Sequence, residues 1–302
     1  MEIEILFNAL YNELKDKIHF LKDKPEETIE STLKALWLTA CGKPVSAVKA
    51  METKLPELTP TEIERLNGFI GKRLNNTPLA HITKRQNFLG IELITDKRAL
   101  IPRKETEILG RKALDLSKEI ASDRDEINVF DVCCGSGNLG VAIAKLNPKC
   151  NVYSSDISEE ALELTKENIN LFHLNERIRT MQSDMFESFK SDKYYNKFDL
   201  IICNPPYISS AKVVKMDTEI ASNEPSLAFD GGILGIKIIQ KLVNEAPLFL
   251  APNGWLVFEV GLGQGEFVMK LIEKTKKFQQ IGSVSDDAWN LRVVYAQIPS
   301  AF

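Results

Sequence analysis

From about residue 104 onward the chain alternates short runs rich in β-branched and aromatic residues with segments of helical periodicity, and no other feature narrows its fold as much. INVFDVCC, NVYSSD, IRTMQSD and FDLIICN read as strands, as do WLVFEVG and RVVYAQI near the end. LGVAIAKL and SEEALELTKENINLF, lying between them, read as helices. Strands joined through helices return parallel to one another, because the crossover is long and packs back onto the sheet with one hand. The pattern predicts an α/β domain with a mainly parallel sheet covered by helices on both faces. Ligands of such sheets gather at the carboxyl ends of the strands, so chemistry is expected at the residues that end each strand.

The first part of the chain has another texture. Leu6, Leu10, Leu14 and Ile18 recur at every fourth position, as do Leu33 and Trp37, which predicts a small helical domain over 1–75. Thr59, Pro60 and Glu62 read as a helix start: a capping hydroxyl, a proline at the first helical position and an acid that closes a capping box. Between Pro78 and Pro102, ITKRQNFLG and IELITDKRAL flank Gly90 and predict a β-hairpin linker over 76–103, leaving 104–302 to the α/β domain.

Composition excludes several classes. With 44% hydrophobic and 26% charged residues the chain is neither disordered nor a coiled-coil rod. No apolar run approaches the ~20 residues of a membrane span, and the start MEIEILFNALYNELKDK lacks the features of a secretory signal. Five cysteines without a C-x-x-C pair argue against a metal site, and their odd count suits reduced thiols in the cytoplasm. A net charge of -4 gives no whole-protein footprint for nucleic acid, so direct binding to it is not expected.

Asp131-Val132-Cys133-Cys134-Gly135-Ser136-Gly137-Asn138 ends the first strand and opens a helix. Gly135 and Gly137 can take positive φ and admit a ligand close to the backbone, while the helix start offers free N–H groups. About twenty residues on, Asp156 ends the second strand, where an acid accepts from ribose hydroxyls. No Gly-Lys-Ser/Thr follows, and Cys133 stands where the first glycine of a dinucleotide fingerprint would be. The loop suits NAD, FAD and S-adenosylmethionine (SAM) alike. Ser183-Asp184-Met185-Phe186 closes the third strand; Asp184 can accept from an adenine amino group, and Met185 offers the ring a polarizable face.

Asn204-Pro205-Pro206-Tyr207 follows the fourth strand. Two prolines cannot continue a central strand, so the chain leaves the sheet there as a stiff segment whose carbonyls remain available. A planar –NH2 group offers two donors in one plane. The Asn204 side-chain oxygen and the Pro205 carbonyl can accept one each, and Tyr207 gives a conjugated group a flat surface. Such a corner can orient a poorly nucleophilic amide or ring-amino nitrogen without a metal or a covalent enzyme nucleophile.

These residues together resemble class I SAM-dependent methyltransferases that modify planar nitrogens, and more narrowly the bacterial glutamine methyltransferases of peptide chain release factors. Supporting stretches are Pro78-Leu79-Ala80-His81-Ile82-Thr83, Phe88 with Gly90, and Ile101-Pro102-Arg103-Lys104-Glu105-Thr106-Glu107. Asn223-Glu224-Pro225, Asp230-Gly231-Gly232 and Glu259 add to them, so the likeness runs from about residue 55 to the C-terminus. It implies a Rossmann-like class I methyltransferase sheet and SAM as cofactor, held by Asp131, Cys133, Cys134, Gly135, Ser136, Gly137, Asp156, Asp184, Met185 and Asn204. It implies a substrate glutamine held by Asn204, Pro205, Pro206 and Tyr207. The partner implied is a release factor, methylated on the glutamine of its Gly-Gly-Gln tip by a cytoplasmic monomer whose helical domain docks the factor's body. Two positions depart from the family pattern. Cys133 replaces a frequent glycine, which is tolerated if the backbone there keeps negative φ, and Ser222-Asn223 stand before Glu224 where a basic residue is frequent. Methylation of a small-molecule amine, of SAM itself or of a nucleic-acid amino group are the alternative readings, and a SAM-binding regulator is the non-enzymatic one.

Overall fold

A computed structural model of the chain describes residues 2–208, 218–229, 231–232 and 235–300. It divides into two compact units, the first made of Met1–Lys97, Ile101–Lys104 and Asp217–Glu224, the second of Arg98–Leu100, Glu105–Met216 and Pro225–Phe302.

The first unit is built on helices α1 (Glu2–Leu14), α2 (Ile29–Ala40), α3 (Ala47–Glu52), α4 (Pro60–Leu74) and α5 (Leu79–Thr83). Its core gathers Leu14, Leu33, Leu36, Trp37, Leu66 and Ile70, the residues whose spacing signalled helices. Helix α1 stops at Leu14, so Ile18 falls beyond it, though still buried. The α4 start is as its sequence requires: Thr59 caps, Pro60 leads, and Glu62 returns the hydrogen bond that completes the box. Strands β1 (Arg85–Phe88) and β2 (Ile91–Ile94) form an antiparallel hairpin. Its turn residues Leu89 and Gly90 both take positive φ, +50° and +82°, the geometry that matches strand twist across a two-residue loop. The hairpin is narrower than the Pro78–Pro102 stretch suggested. Leu79 to Thr83 coil instead, because Leu79, Ala80 and Ile82 are all buried from one short helical turn.

Residues 218–224 belong to this unit by an unusual bond set. Glu219 meets Arg73 at 3.0 Å and Lys24 at 3.2 Å, all three nearly solvent-free, with Glu27 beside them. Glu224 receives Arg103 at 2.6 Å and the Ile101 N–H at 2.9 Å. Asn223 donates to the Asn76 carbonyl, which accounts for it without any basic side chain.

The second unit holds α6 (Thr106–Ile120), β3 (Ile127–Val132), α7 (Asn138–Leu146), β4 (Cys150–Asp156), α8 (Glu159–Leu171), β5 (Ile178–Gln182) and β6 (Phe198–Cys203). It continues with α9 (Lys237–Phe249), β7 (Leu250–Glu259), α10 (Gly265–Thr275), β8 (Gln279–Ser285) and β9 (Leu291–Gln297). The seven strands lie in the order β5-β4-β3-β6-β7-β9-β8, parallel from β5 to β7 and antiparallel at β9 and β8. Alternation along the strands serves both faces. Asp131, Val152 and Ser154 meet α7 closely enough that Gly140 leaves no room for a Cβ. Phe130, Val132 and Tyr153 join a core with Ile239 and Leu242 of α9 and Val268 and Ile272 of α10. Phe130 is its centre, with ring centroids 4.4 Å from Phe189, 4.7 Å from Phe198 and 5.6 Å from Phe186. This is the mainly parallel α/β sheet expected from the strand–helix alternation, in the Rossmann-like form that the resemblance implies. Its order reverses between β3 and β6, the kind of switch point at which open α/β sheets bind their ligands.

Candidate functional site

The strand ends form a row. Asp156 pairs with Gln182 and its carbonyl receives the Ser183 N–H; the Cys134 N–H donates to the Ser155 carbonyl; Val132 pairs with Cys203. Asp184, Asp156, the glycine loop and Asn204 therefore stand side by side at the carboxyl edge, with neighbouring strands roughly 5 Å apart.

The loop is fixed by backbone bonds. The Gly135 N–H donates to Asp156 Oδ2 at 2.8 Å, and Asp156 Oδ1 accepts from the Ser158 N–H at 3.0 Å. Thr165 and Asn168 of α8 hold the Gly135 and Ser136 carbonyls at 2.8 and 3.0 Å. Gly137 has φ +76°, and a Cβ there would lie 2.7 Å from Thr165 Cγ2. Gly135 has φ +56° and nothing within 4 Å of where its Cβ would be. The two glycines thus differ: one permits close packing of α8, the other leaves open space. Cys133 departs from expectation, since its φ is +59° rather than negative. The chain must turn there to deliver the Cys134 N–H to β4, and a cysteine sits in the left-handed region.

Not every expected side chain faces the crevice. Asp131 is fully buried, with Oδ2 accepting from the Gly140 N–H at 2.9 Å and Oδ1 lacking a partner. Burial pushes its carboxyl up to about 7, against the Gly140 N–H and with the help of nearby Asp156. Cys134 and Cys203 are buried thiols raised well above the ordinary range by desolvation, which makes them inert. Met185 is buried with φ +56° and its sulfur 3.5 Å from Cys133 Sγ, while Asp184 is exposed and ion-paired to Lys241 at 3.2 Å. Burial also raises Asp156, opposed by the N–H groups of Ser158, Gly135 and Ile157. For a nucleoside-bearing donor the loop offers an open glycine surface, a carboxylate at Asp156 and buried polar atoms without partners at Asp131 Oδ1 and Ser136 Oγ.

The proline corner is braced from behind. Asn204 Nδ2 donates to Thr106 Oγ1 at 3.1 Å, and the Tyr207 hydroxyl donates to Glu259 Oε1 at 2.7 Å. Gln264 spans the corner, giving Nε2 to the Tyr207 carbonyl at 3.0 Å and taking the Gly261 N–H at 2.9 Å. Glycines crowd the backbone: a Cβ would lie 2.6 Å from the Pro206 carbonyl at Gly231, 2.1 Å from the Tyr207 carbonyl at Gly235 and 2.9 Å from the Tyr207 ring at Gly261. Asp230, of the Asp230-Gly231-Gly232 stretch, lies outside the described residues. Glu259 is buried and raised by desolvation, opposed by the Tyr207 and Thr106 hydroxyls and by Arg292. Burial and the Glu259 charge hold Tyr207 protonated, so its hydroxyl stays a donor. The sequence alone assigns Thr106, Gln264 and Arg292 no role. Only Thr106 left a trace, inside the Ile101–Glu107 stretch, whereas nothing local marks Gln264.

Residues 113–236 match the family described as Methyltransferase small domain. A release factor glutamine methyltransferase of Geobacter sulfurreducens is 31% identical over 83% of this chain and 84% of its own length. One from Thermodesulfovibrio yellowstonii is 33% identical over 81% and 85%. The chain belongs to the release factor glutamine methyltransferase family. Among solved structures, the methyltransferase domain of METTL16 shares the fold, with TM-score 0.51 and 11% identity over 70% of this chain and 90% of that one. Among the described residues no helix is long and apolar enough to cross a membrane.

Proposed function

We propose that the chain methylates the side-chain amide nitrogen of the glutamine in the Gly-Gly-Gln tip of peptide chain release factors, with SAM as donor, in the cytoplasm. One observation carries the reading. Among the described residues Asn204 Oδ1 and the Pro205 carbonyl accept no hydrogen bond, while Asn204 Nδ2 is committed to Thr106. A primary amide has two N–H bonds in one plane, and two open acceptors on a proline-stiffened corner suit it. The relatives' names support the glutamine and the release factor as acceptor.

The loop residues fit SAM: Gly135 leaves room beside the backbone and Asp156 suits ribose hydroxyls, whereas Asp184 is held by Lys241 and Met185 is packed against Cys133. When bound, SAM supplies an electrophilic methyl group on a positively charged sulfur. Asn204 Oδ1 and the Pro205 carbonyl hold the two amide protons, which enriches a nitrogen whose lone pair is otherwise delocalised and fixes its direction. Thr106 keeps the oxygen, not the nitrogen, of Asn204 turned toward the acceptor. Tyr207 packs a flat ring beside it, and its own hydroxyl is occupied by Glu259. As the N–C bond forms the S–C bond breaks, and the nitrogen, now cationic and far more acidic, gives one proton to water, so no strong base is required; orientation carries the rate, with effective molarities up to ~10⁵–10⁸ M for well-aligned pairs.

Incubation with methyl-labelled SAM and unmethylated release factor is expected to label that one glutamine, read by peptide mass spectrometry. Failure to label any release factor from the same cell overturns the reading.

A further inference from the structure

Trp289 is set apart from the other exposed apolar side chains by being 90% open to solvent with φ +63°. It occupies the turn between β8 and β9, and that turn is firmly bonded. Asp286 Oδ1 accepts from the Ala288 N–H at 3.0 Å and the Asn290 N–H at 2.9 Å, while the Trp289 N–H donates to the Asp286 carbonyl at 2.9 Å. A bulky residue rarely takes this backbone conformation, and an indole in water contributes nothing to folding. Glycine would seat better.

The sheet register connects this turn to the proline corner. β9 runs antiparallel to β7 with Val293 beside Glu259, and the Val260 N–H donates to the Arg292 carbonyl. The turn before β9 therefore rises past the same edge as the loop after β7. In that loop Leu262, 63% exposed, lies between Gly261, where a Cβ would run into the Tyr207 ring, and Gln264, which holds the Tyr207 carbonyl. On the other flank the Ile208 N–H donates to the Phe229 carbonyl, and Leu227 nearby is 62% exposed. Residues 225–229 and 261–264 carry no charge. Two uncharged apolar segments beside an outlying aromatic residue, whose own turn carries Asp286 and Asp287, suit a protein interface, where aromatic side chains are enriched.

We infer that Leu227, Leu262 and Trp289 form the docking rim for the body of the acceptor protein, with Trp289 as its anchor. This rests on the proposed reading that the acceptor nitrogen belongs to a protein glutamine. Covalent continuity names the occupant: a polypeptide whose glutamine enters the corner must lay its flanking chain over what surrounds that corner, which is Leu262 beside Gly261 and Gln264, Leu227 beside Phe229, and the Trp289 turn at the same sheet edge.

The test uses the full chain, purified unmethylated release factor, and the variants Trp289→Ala, Trp289→Gly and Trp289→Phe. Trp289→Ala is expected to raise KM for release factor about 10- to 30-fold, as loss of an aromatic anchor does, with kcat and SAM affinity unchanged. Trp289 emission, taken as the parent-minus-Phe difference, is expected to shift to the blue when release factor is added without SAM. Trp289→Gly should melt no lower than the parent while losing the same affinity, which separates docking from folding. A parental KM and an unmoved emission, in an enzyme that does methylate release factor, overturn the inference. So does an emission shift caused by protein concentration alone or by anionic vesicles and not by release factor, since the rim then serves a second copy or a lipid surface. A parent that methylates no release factor sinks the underlying reading first, and this inference with it.

Discussion

Gly135 and Gly137 both take positive φ, yet substitution should affect different properties. Gly137→Ala meets Thr165 as well as left-handed strain and is expected to lower unfolding free energy by about 2–4 kcal/mol in urea titrations. Gly135→Ala meets only the strain, about 1–2 kcal/mol, but its methyl fills the open loop surface, so calorimetry should show SAM binding weakened tenfold or more. Unchanged SAM affinity in Gly135→Ala would show that the donor lies elsewhere. Asp131 makes a pH prediction with a definite sign. Its carboxyl ionises near 3.8 when free and near about 7 in the fold, so the unfolded chain loses that proton first. The contribution is present below about 4 and is lost as pH rises through about 7; Asp131→Asn should flatten that slope in pH-resolved thermal melts. Cys133 shows what a residue name cannot convey. Cysteine usually signals negative φ, and only the bond from the Cys134 N–H to Ser155, on a strand reached through a helix, forces +59°.

Helix α6 begins at the residue that accepts from Asn204 Nδ2, so its first turn borders the candidate site. Thr106→Val removes the acceptor for Asn204 Nδ2 while keeping shape, and kcat is expected to fall about 10- to 100-fold with SAM affinity intact. Thr106→Ser should restore most of it, and a parental kcat in the valine variant would remove Thr106 from the mechanism. Elements of this size were the most legible part of the sequence. The strand runs ending at Val132, Asp156, Gln182 and Cys203, and the capping box at Thr59, announce themselves through local periodicity and local bonding. The bracing of the corner does not, because its bonds join residues 98, 52 and 57 positions apart. Pro78 to Thr83 carries no local helix signal either, since burial of Leu79 and Ile82 in the helical core, not local pattern, winds it into α5.

The whole molecule carries a group of charges that water barely reaches. Removing one partner of such a set leaves the others uncompensated, so Glu219→Ala is expected to destabilise the first unit by about 3–5 kcal/mol, seen as a lowered calorimetric transition. His81, in the same unit, responds to acid. Burial, with Lys84 and Lys24 nearby, pushes its imidazole down to about 4 from an ordinary 6.5, so the unfolded chain takes up that proton first as pH falls. Stability from this source is present above 6.5 and is lost toward about 4, the opposite slope to Asp131. The interleaving of the units has a practical consequence for anyone who cuts the gene. A fragment starting at residue 104 keeps Glu219 and Glu224 but discards Lys24, Arg73 and Arg103, their counter-ions. The severed catalytic half would emerge with bare carboxylates where sequestered pairs had been, so dissection at that point yields a damaged protein rather than a smaller enzyme.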